Sequence, residues 1–160
     1  MPFEFGRRSE EELQYIEPDL VKIFRLALRR SKVDFGISQG IRSISEQKKL
    51  YTQGRTEPGR IVTSIDGVRK KSKHNPNEKG LSEAGDIYVY HPDEETRKAI
   101  IYDPEHLAYI GGLMEAAAEE LLEKGEISSR LRWGGNWDGD GVLLLDQNLD
   151  DLPHFEIIKL

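Results

Sequence analysis

The sequence predicts an α+β fold, a small and mostly antiparallel sheet with helices packed on one side. Three observations point there. The periodic segments run helix, strand, helix, loop, strand, helix, strand, strand, so the strands after the long loop are not all joined by helical crossovers. One of these strands alternates cleanly between two faces. Finally, 160 residues with 37% hydrophobic and 32% charged content suit one domain with a core of its own. We read residues 1–160 as a single domain; no internal repeat or low-complexity linker divides them.

Taken in order, Ser9 followed by Glu12 reads as a capping box opening a helix over about 10–30, with Leu13, Ile16, Leu20, Ile23, Leu26 and Leu28 as its apolar set. "DFGISQG" (34–40) reads as a short strand ending in glycine. "SISEQKKLYTQG" (43–54) reads as a capped helix stopped by Gly54. Residues 55–80 are polar and rich in Gly, Pro and Lys, and predict a long loop with a short hairpin around "IDG". In "EAGDIYVY" (83–90), Asp86, Tyr88 and Tyr90 fall on one face of a strand and Ile87 and Val89 on the other. Residues 103–125 form the strongest helical pattern, with Asp103 near its start and Gly125 at its stop. "RLRWGGNW" is a strand running into a turn, and "LPHFEIIKL" is the last strand.

Composition excludes several classes. With no cysteine, disulfides and thiolate metal sites are ruled out, and any metal must be held by His, Asp, Glu or backbone oxygen. The net charge of −6 argues against a nucleic-acid binder. No apolar run reaches the ~18 residues of a membrane span. The N-terminal "MPFEFGRRSEEE" lacks the apolar core of a secretory signal, so synthesis in the cytoplasm without export by the general route is expected. The one basic cluster, "GVRKKSKH" (67–74), reads either as a solvated loop or as a loop that meets an acidic substrate.

The chemistry rests on four histidines, His74, His91, His106 and His154. The H-E-x-x-H motif is absent. His74, Asp86 and His154 make a candidate three-ligand zinc site with a fourth position open to water, whose pKa zinc lowers to ~7. Asp151, three residues before His154, is the candidate general base, and Pro153 stiffens the turn between them. Each histidine alone is more often structural, His91 resembling a turn residue and His106 a first-turn helix residue. Spacing by itself does not separate the pairs.

The combination "SKH…EAGDIYVY", then "WGGNW", then "DLPHFE" resembles the LAS-type zinc metallopeptidases, whose fold is shared by D-Ala-D-Ala peptidases and hedgehog proteins. It is nearest the phage endolysin branch of L-alanyl-D-glutamate peptidases. The family pattern S-x-H-x-x-G-x-A-x-D, followed by a distant D/E-x-x-H, is met by Ser72, His74, Ala84 and Asp86, then by Asp151 and His154. The resemblance spans nearly the whole chain. One departure is a histidine-to-aspartate gap five residues longer than the usual seven, a tolerable insertion because loop closure costs grow slowly with length. The resemblance implies zinc on His74, Asp86 and His154, catalysis by Asp151, and an active-site role for Arg42 of "QGIRS", binding a carboxylate or the developing oxyanion. A surface salt bridge is the plainer reading of Arg42. Gln39 is a weaker candidate on the same edge. Ser72 is expected to orient the histidine loop, and Glu156, on the His154 face, is either a partner of that ligand or a structural ion-pair member. Trp133 and Trp137 either wall the cleft or pack.

"NWDGDG" places Asn136, Asp138 and Asp140 at positions 1, 3 and 5 and Gly141 at 6 of a calcium-type loop; Gln147 stands at position 12, with Asp146 one residue earlier. An Asp/Gly turn is the alternative. The expected function is a zinc-dependent peptidoglycan peptidase that cuts stem peptides at the L-alanyl-D-glutamate bond during phage lysis. It is expected to be monomeric and to reach the wall through a membrane-permeabilising partner. The rivals are a D-Ala-D-Ala carboxypeptidase or dipeptidase of the same superfamily and a non-enzymatic, metal-stabilised wall-binding module.

Overall fold

The computed structural model describes residues 1–143 and 151–160. The elements are α1 (Arg7–Leu13), α2 (Pro18–Arg30), β1 (Phe35–Gln39), α3 (Ile44–Thr52), β2 (Ala84–Val89), α4 (Glu94–Ile100), α5 (Pro104–Glu123), β3 (Ser129–Trp133) and β4 (His154–Lys159). The four strands form one sheet in the order β1-β2-β4-β3, every pair antiparallel. The expected α+β architecture is the observed one.

The sheet's two faces follow from period-two alternation. Ile87, Val89, Phe155 and Ile157 are buried against the helical layer of α2 and α5. There Phe24 of α2 meets Phe155 edge-on, their centroids 6.2 Å apart. Asp86, His154 and Glu156 project from the opposite face, so one strand register sorts core from chemistry.

That register includes a β-bulge. Phe35, Gly36 and Ile37 pair with Val89, Tyr88 and Ile87, but Gln39, not Ser38, then stands opposite Asp86. Asp86 in turn pairs with His154. The extra residue turns Gln39 into the same cross-strand row as Asp86 and His154, a common use of bulges beside functional sites.

Three local expectations needed correction. The helix over 10–30 is two helices, because Pro18 has no N–H to continue the first and instead occupies the first turn of α2. In the break, Glu17 N–H donates to Ser82 O and Ser82 N–H to Tyr15 O, tying the link to the chain before β2. Ser9 and Glu12 do not form a capping box: Ser9 lies inside α1, its hydroxyl accepting from Ile37 N–H, while Glu12 accepts from Gly40 N–H. No hairpin forms at "IDG"; the Asp66 carboxylate accepts from the N–H groups of Val68, Arg69 and Lys70 and folds a tight turn. Helix α4 has no counterpart in the sequence pattern. Asp93 caps it through Thr96 N–H, but it has no buried residue and therefore no apolar stripe to betray it. The capping box of α3 is as expected, with Ser43 and Glu46 reciprocally bonded, and Gly54 follows at a φ of 79°.

Candidate metal centre

His74 reaches the site from the loop before β2, Asp86 from the middle of β2, and His154 from the first position of β4. His74 Nε2 lies 3.2 Å from Asp86 Oδ1 and 3.2 Å from His154 Nδ1, and His154 Nδ1 lies 3.0 Å from the same Asp86 oxygen. The outer edge of each ring is held by an acceptor. His74 Nδ1–H donates to Gly40 O at 2.7 Å, and His154 Nε2–H donates to Glu156 Oε1 at 3.0 Å. These partners leave His74 Nε2 and His154 Nδ1 facing Asp86, the two ring nitrogens that would ligate a bound metal. Three donors at zinc-ligand distance on tetrahedral axes stand about 3.3 Å apart. Two imidazoles and one carboxylate are also a zinc-type set rather than a hard-cation set. The residues fit.

On their own, the electrostatics of these side chains draw a proton to His154. Burial opposes charge on Asp86, yet the charges and hydrogen bonds of His74 and His154 outweigh it and hold the carboxyl well below its usual range. Burial likewise opposes charge on His154, but its bonds to Asp86 and Glu156 push it up to about 10. For Asp151 the shift is upward, first from burial and then from the negative charge of Asp86. A carboxylate made more basic in this way is suited to accept a proton.

Asp151 is placed by backbone. Its N–H donates to Gly134 O at 2.9 Å, its carbonyl accepts from His154 N–H at 3.0 Å, and Gly134 N–H donates to His154 O at 2.9 Å. A Cβ on Gly134 would stand 2.1 Å from Asp151 O, so this approach requires glycine.

The site is thus an inward-facing His-Asp-His set with a carboxylate beside it. A family model described as phage L-alanyl-D-glutamate peptidase matches residues 1–158. The chain belongs to this family. Among relatives, the L-alanyl-D-glutamate peptidase of Escherichia phage T5 is 30% identical over 141 residues, 88% of this chain and 86% of that one. The peptidoglycan L-alanyl-D-glutamate endopeptidase CwlK of Bacillus subtilis (strain 168) is 34% identical over 136 residues, 84% of this chain and 66% of that protein. The crystal structure of the Serratia marcescens L-Ala D-Glu endopeptidase ChiX superposes with a TM-score of 0.66 at 26% identity, covering 97% of this chain and 90% of that one.

In the peptidase, Arg42 is not in a surface salt bridge. Gln39 Oε1 accepts from its Nε and Nη2 at 3.1 and 2.7 Å, Gln47 Oε1 accepts from Nη1 at 2.9 Å, and Nη2 stands 3.8 Å from Asp86 Oδ2. Two amides thereby hold a half-buried guanidinium beside Asp86 of the candidate centre. Ser72 Oγ accepts from His74 N–H at 3.2 Å. Glu156 accepts from His154 at 3.0 Å and has Arg132 at 4.0 Å, so both contacts expected of it are present. His91 and His106 lie elsewhere, bonded to Asp93 N–H and to Asp103.

Trp133 does not wall a cleft. It is 2% exposed, stacks on Phe155, and donates from Nε1 to Leu152 O at 2.7 Å, bracing the turn that carries Asp151. Trp137 is the indole beside the site, 5.2 Å from the His154 ring and covered by the Arg132 guanidinium.

Two contributors escaped the sequence reading. Gln47 is fully buried, and its Nε2 donates to Ile65 O and Thr63 Oγ1 while its Oε1 holds Arg42. In sequence it is one polar residue in a polar helix. Asn75 binds Ser72 N–H and donates to Arg42 O, and Arg42 N–H donates to His74 O, locking the arginine and histidine loops together. The lengthened gap after His74 is taken up by a turn around Asn77, whose side chain accepts from Lys79 and Leu81 N–H and donates to the buried Glu17. Of the calcium-type loop, Asp138 and Asp140 accept from backbone N–H groups of Asp140 and Val142, and Asn136 Oδ1 is buried without a hydrogen-bond partner among the described residues. Asp146 and Gln147 lie outside the described residues.

Proposed function

We propose that this member of the family is a zinc-dependent endopeptidase that hydrolyses the L-alanyl-D-glutamate bond of peptidoglycan stem peptides. The observation that carries the reading is the convergence of two imidazole nitrogens on the Asp86 carboxylate, with Asp151 beside them and Arg42 aimed at the same point. Zinc held by His74, Asp86 and His154 supplies Lewis acidity toward a water and toward the scissile carbonyl. The chain's own groups do the rest. Asp151 takes a proton from the attacking water as its oxygen adds to the amide carbon. The same proton then passes from Asp151 to the departing nitrogen as the C–N bond breaks, leaving a carboxyl on L-alanine and a free amine on D-glutamate. Arg42 offers its guanidinium to the negative charge that develops on the carbonyl oxygen or to a neighbouring substrate carboxylate.

Asn136, Asp138 and Asp140 we assign to a second, calcium-type site, supported by the unpartnered Asn136 oxygen in an alternating acidic loop. A thermal midpoint unchanged by calcium would remove that assignment. No helix among the described residues is long and apolar enough to cross a membrane. We further propose that access to the wall during lysis depends on a membrane-permeabilising partner and that the chain acts as a monomer. The deciding experiment is digestion of purified peptidoglycan by zinc-loaded wild type and Asp151→Asn, with zinc content measured on both and the products identified by mass. New N-terminal D-glutamate from the wild type alone, at equal zinc, supports the reading. Release of terminal D-alanine would support the D-Ala-D-Ala carboxypeptidase instead, and sacculus binding without any cleavage would support the wall-binding module.

A further inference from the structure

The loop joining α3 to His74 has a charge unlike the rest of the chain. Residues 55–73 carry Arg55, Arg60, Arg69, Lys70, Lys71 and Lys73 against Glu57 and Asp66, a net of +4 in a protein of net −6. Everything outside the loop therefore sums to −10. Two of the cations are committed internally: Arg55 covers the Tyr51 ring and donates to backbone carbonyls, and Lys73 pairs with Glu83. Arg60, Arg69, Lys70 and Lys71 are exposed and enter no ion pair among the described residues. Between them stand exposed apolar side chains, Ile61, Val62 and Val68, the last at 64% exposure.

The loop is tied down rather than loose. Gln47 holds Thr63 and Ile65 from inside, Gln53 holds Arg60 O, and Asp66 gathers three N–H groups under Arg69 and Lys70. Because Gln47 also holds Arg42, and because the loop runs directly into Ser72 and His74, this cationic surface is fixed beside the metal centre.

We propose that Arg60, Arg69, Lys70 and Lys71, with Ile61, Val62 and Val68, form a docking surface for the carboxylate-rich peptidoglycan network adjoining the cleaved stem peptide. The inference rests on the peptidase reading and adds to it a site for the polymer, distinct from the one that binds the scissile bond. A cross-linked wall presents many stem-peptide carboxylates at once. A tethered loop with a net charge of +4 in an otherwise acidic protein lets one edge approach that polyanion while the remaining surface is repelled, which orients the active-site edge toward it. The adjacency of Arg42 and His74 favours the wall over a lipid surface, since substrate must lie on this edge in any case.

The test is the triple variant Arg69→Gln, Lys70→Gln, Lys71→Gln, whose backbone bonds to Asp66 are unaffected. Pelleting with purified sacculi is measured for this variant and the parent chain, both in the Asp151→Asn background, across a salt series. Cleavage of a soluble stem peptide and of sacculi is measured without that background change. The expected result is a roughly ten-fold or greater loss of sacculus binding at low salt, a flatter salt dependence, and soluble-peptide kcat/KM within about two-fold of wild type. Unchanged pelleting, an equal loss on soluble peptide and sacculi, or tighter binding of the parent to anionic phospholipid vesicles than to sacculi would each overturn the proposal. Failure of the wild type to cut the soluble peptide would sink the peptidase reading alone, because pelleting still reports on docking.

Discussion

Replacing Gly134 by alanine should disable the enzyme while leaving the fold largely intact. The new methyl carbon would lie 2.1 Å from Asp151 O, 2.9 Å from Asp151 C and 3.1 Å from Asp151 Cβ. Non-bonded carbon and oxygen need more than 3 Å, so the Asp151 backbone must retreat by roughly 1 Å, at an overpacking cost of about 1–3 kcal/mol. Asp151 O accepts from His154 N–H and Asp151 N–H donates to Gly134 O, so the retreat carries the base away from the site and strains the link to the third ligand. A displacement of that size at a reacting group costs about 10²-fold in rate. The assay is kcat and KM on a soluble stem peptide, with zinc content and thermal midpoint on the same samples. Gly112→Ala is the matched control, since its Cβ meets nothing within 4 Å and alanine favours a helix by about 1 kcal/mol. Near-wild-type kcat in folded, zinc-loaded Gly134→Ala would refute the claim that this approach positions the base.

Asp151→Asn should keep zinc and lose about 10²–10⁴-fold in kcat, read from single-turnover rates beside metal analysis. Glu156→Ala should weaken zinc about 10–100-fold in chelator competition, and Glu156→Gln, which keeps an acceptor oxygen, should lose less. Gln47→Leu should cost about 1–3 kcal/mol by stranding its buried partners, lowering the thermal midpoint by several degrees, and should reduce kcat as Arg42 loses its brace. Chelation should abolish cleavage and lower the thermal midpoint, and added zinc should restore both, the size of the shift rising with free zinc concentration.

What the sequence made legible was whatever a local pattern encodes. The α3 capping box, the two-faced β2 strand and the Asp-capped α5 are each written within a few residues. The candidate ligand set was readable only jointly, since no spacing distinguishes His74 and His154 from His91 and His106; the sheet register sets His154 against Asp86, and the loop before β2 brings His74 to both. Gln39 was visible as an edge residue, but its place in the ligand row depends on a bulge at Ser38 that no residue type announces. Trp133 was ambiguous because an indole suits a core and a cleft equally, and what settles it is the Phe155 ring and Leu152 carbonyl that enclose it. Gln47 was invisible for the opposite reason: a buried glutamine looks like a surface one until its partners are known.

The charges around the centre explain why these pieces belong together. Asp86, Asp151 and Glu156 bring three carboxyl groups into one partly dry region, with the Arg42 guanidinium as the buried cation among them; Arg132, its side chain 42% exposed and 4.0 Å from Glu156, is screened by solvent. Taken as carboxylates, they leave that region two negative charges in excess, which burial makes costly. The upward shift of His154 shows the bare cluster recovering part of the difference with a proton. A divalent cation there would cancel the excess of two and remove the need for that proton, and so would free His154 Nδ1 to act as a ligand. Arg42 therefore cannot be understood as a substrate anchor alone. Without it the site would carry an uncompensated negative charge even when loaded with zinc, and the base would face a stronger repulsion from Asp86. The two glutamines that grip the guanidinium have no charge of their own, so they set its direction without disturbing the balance.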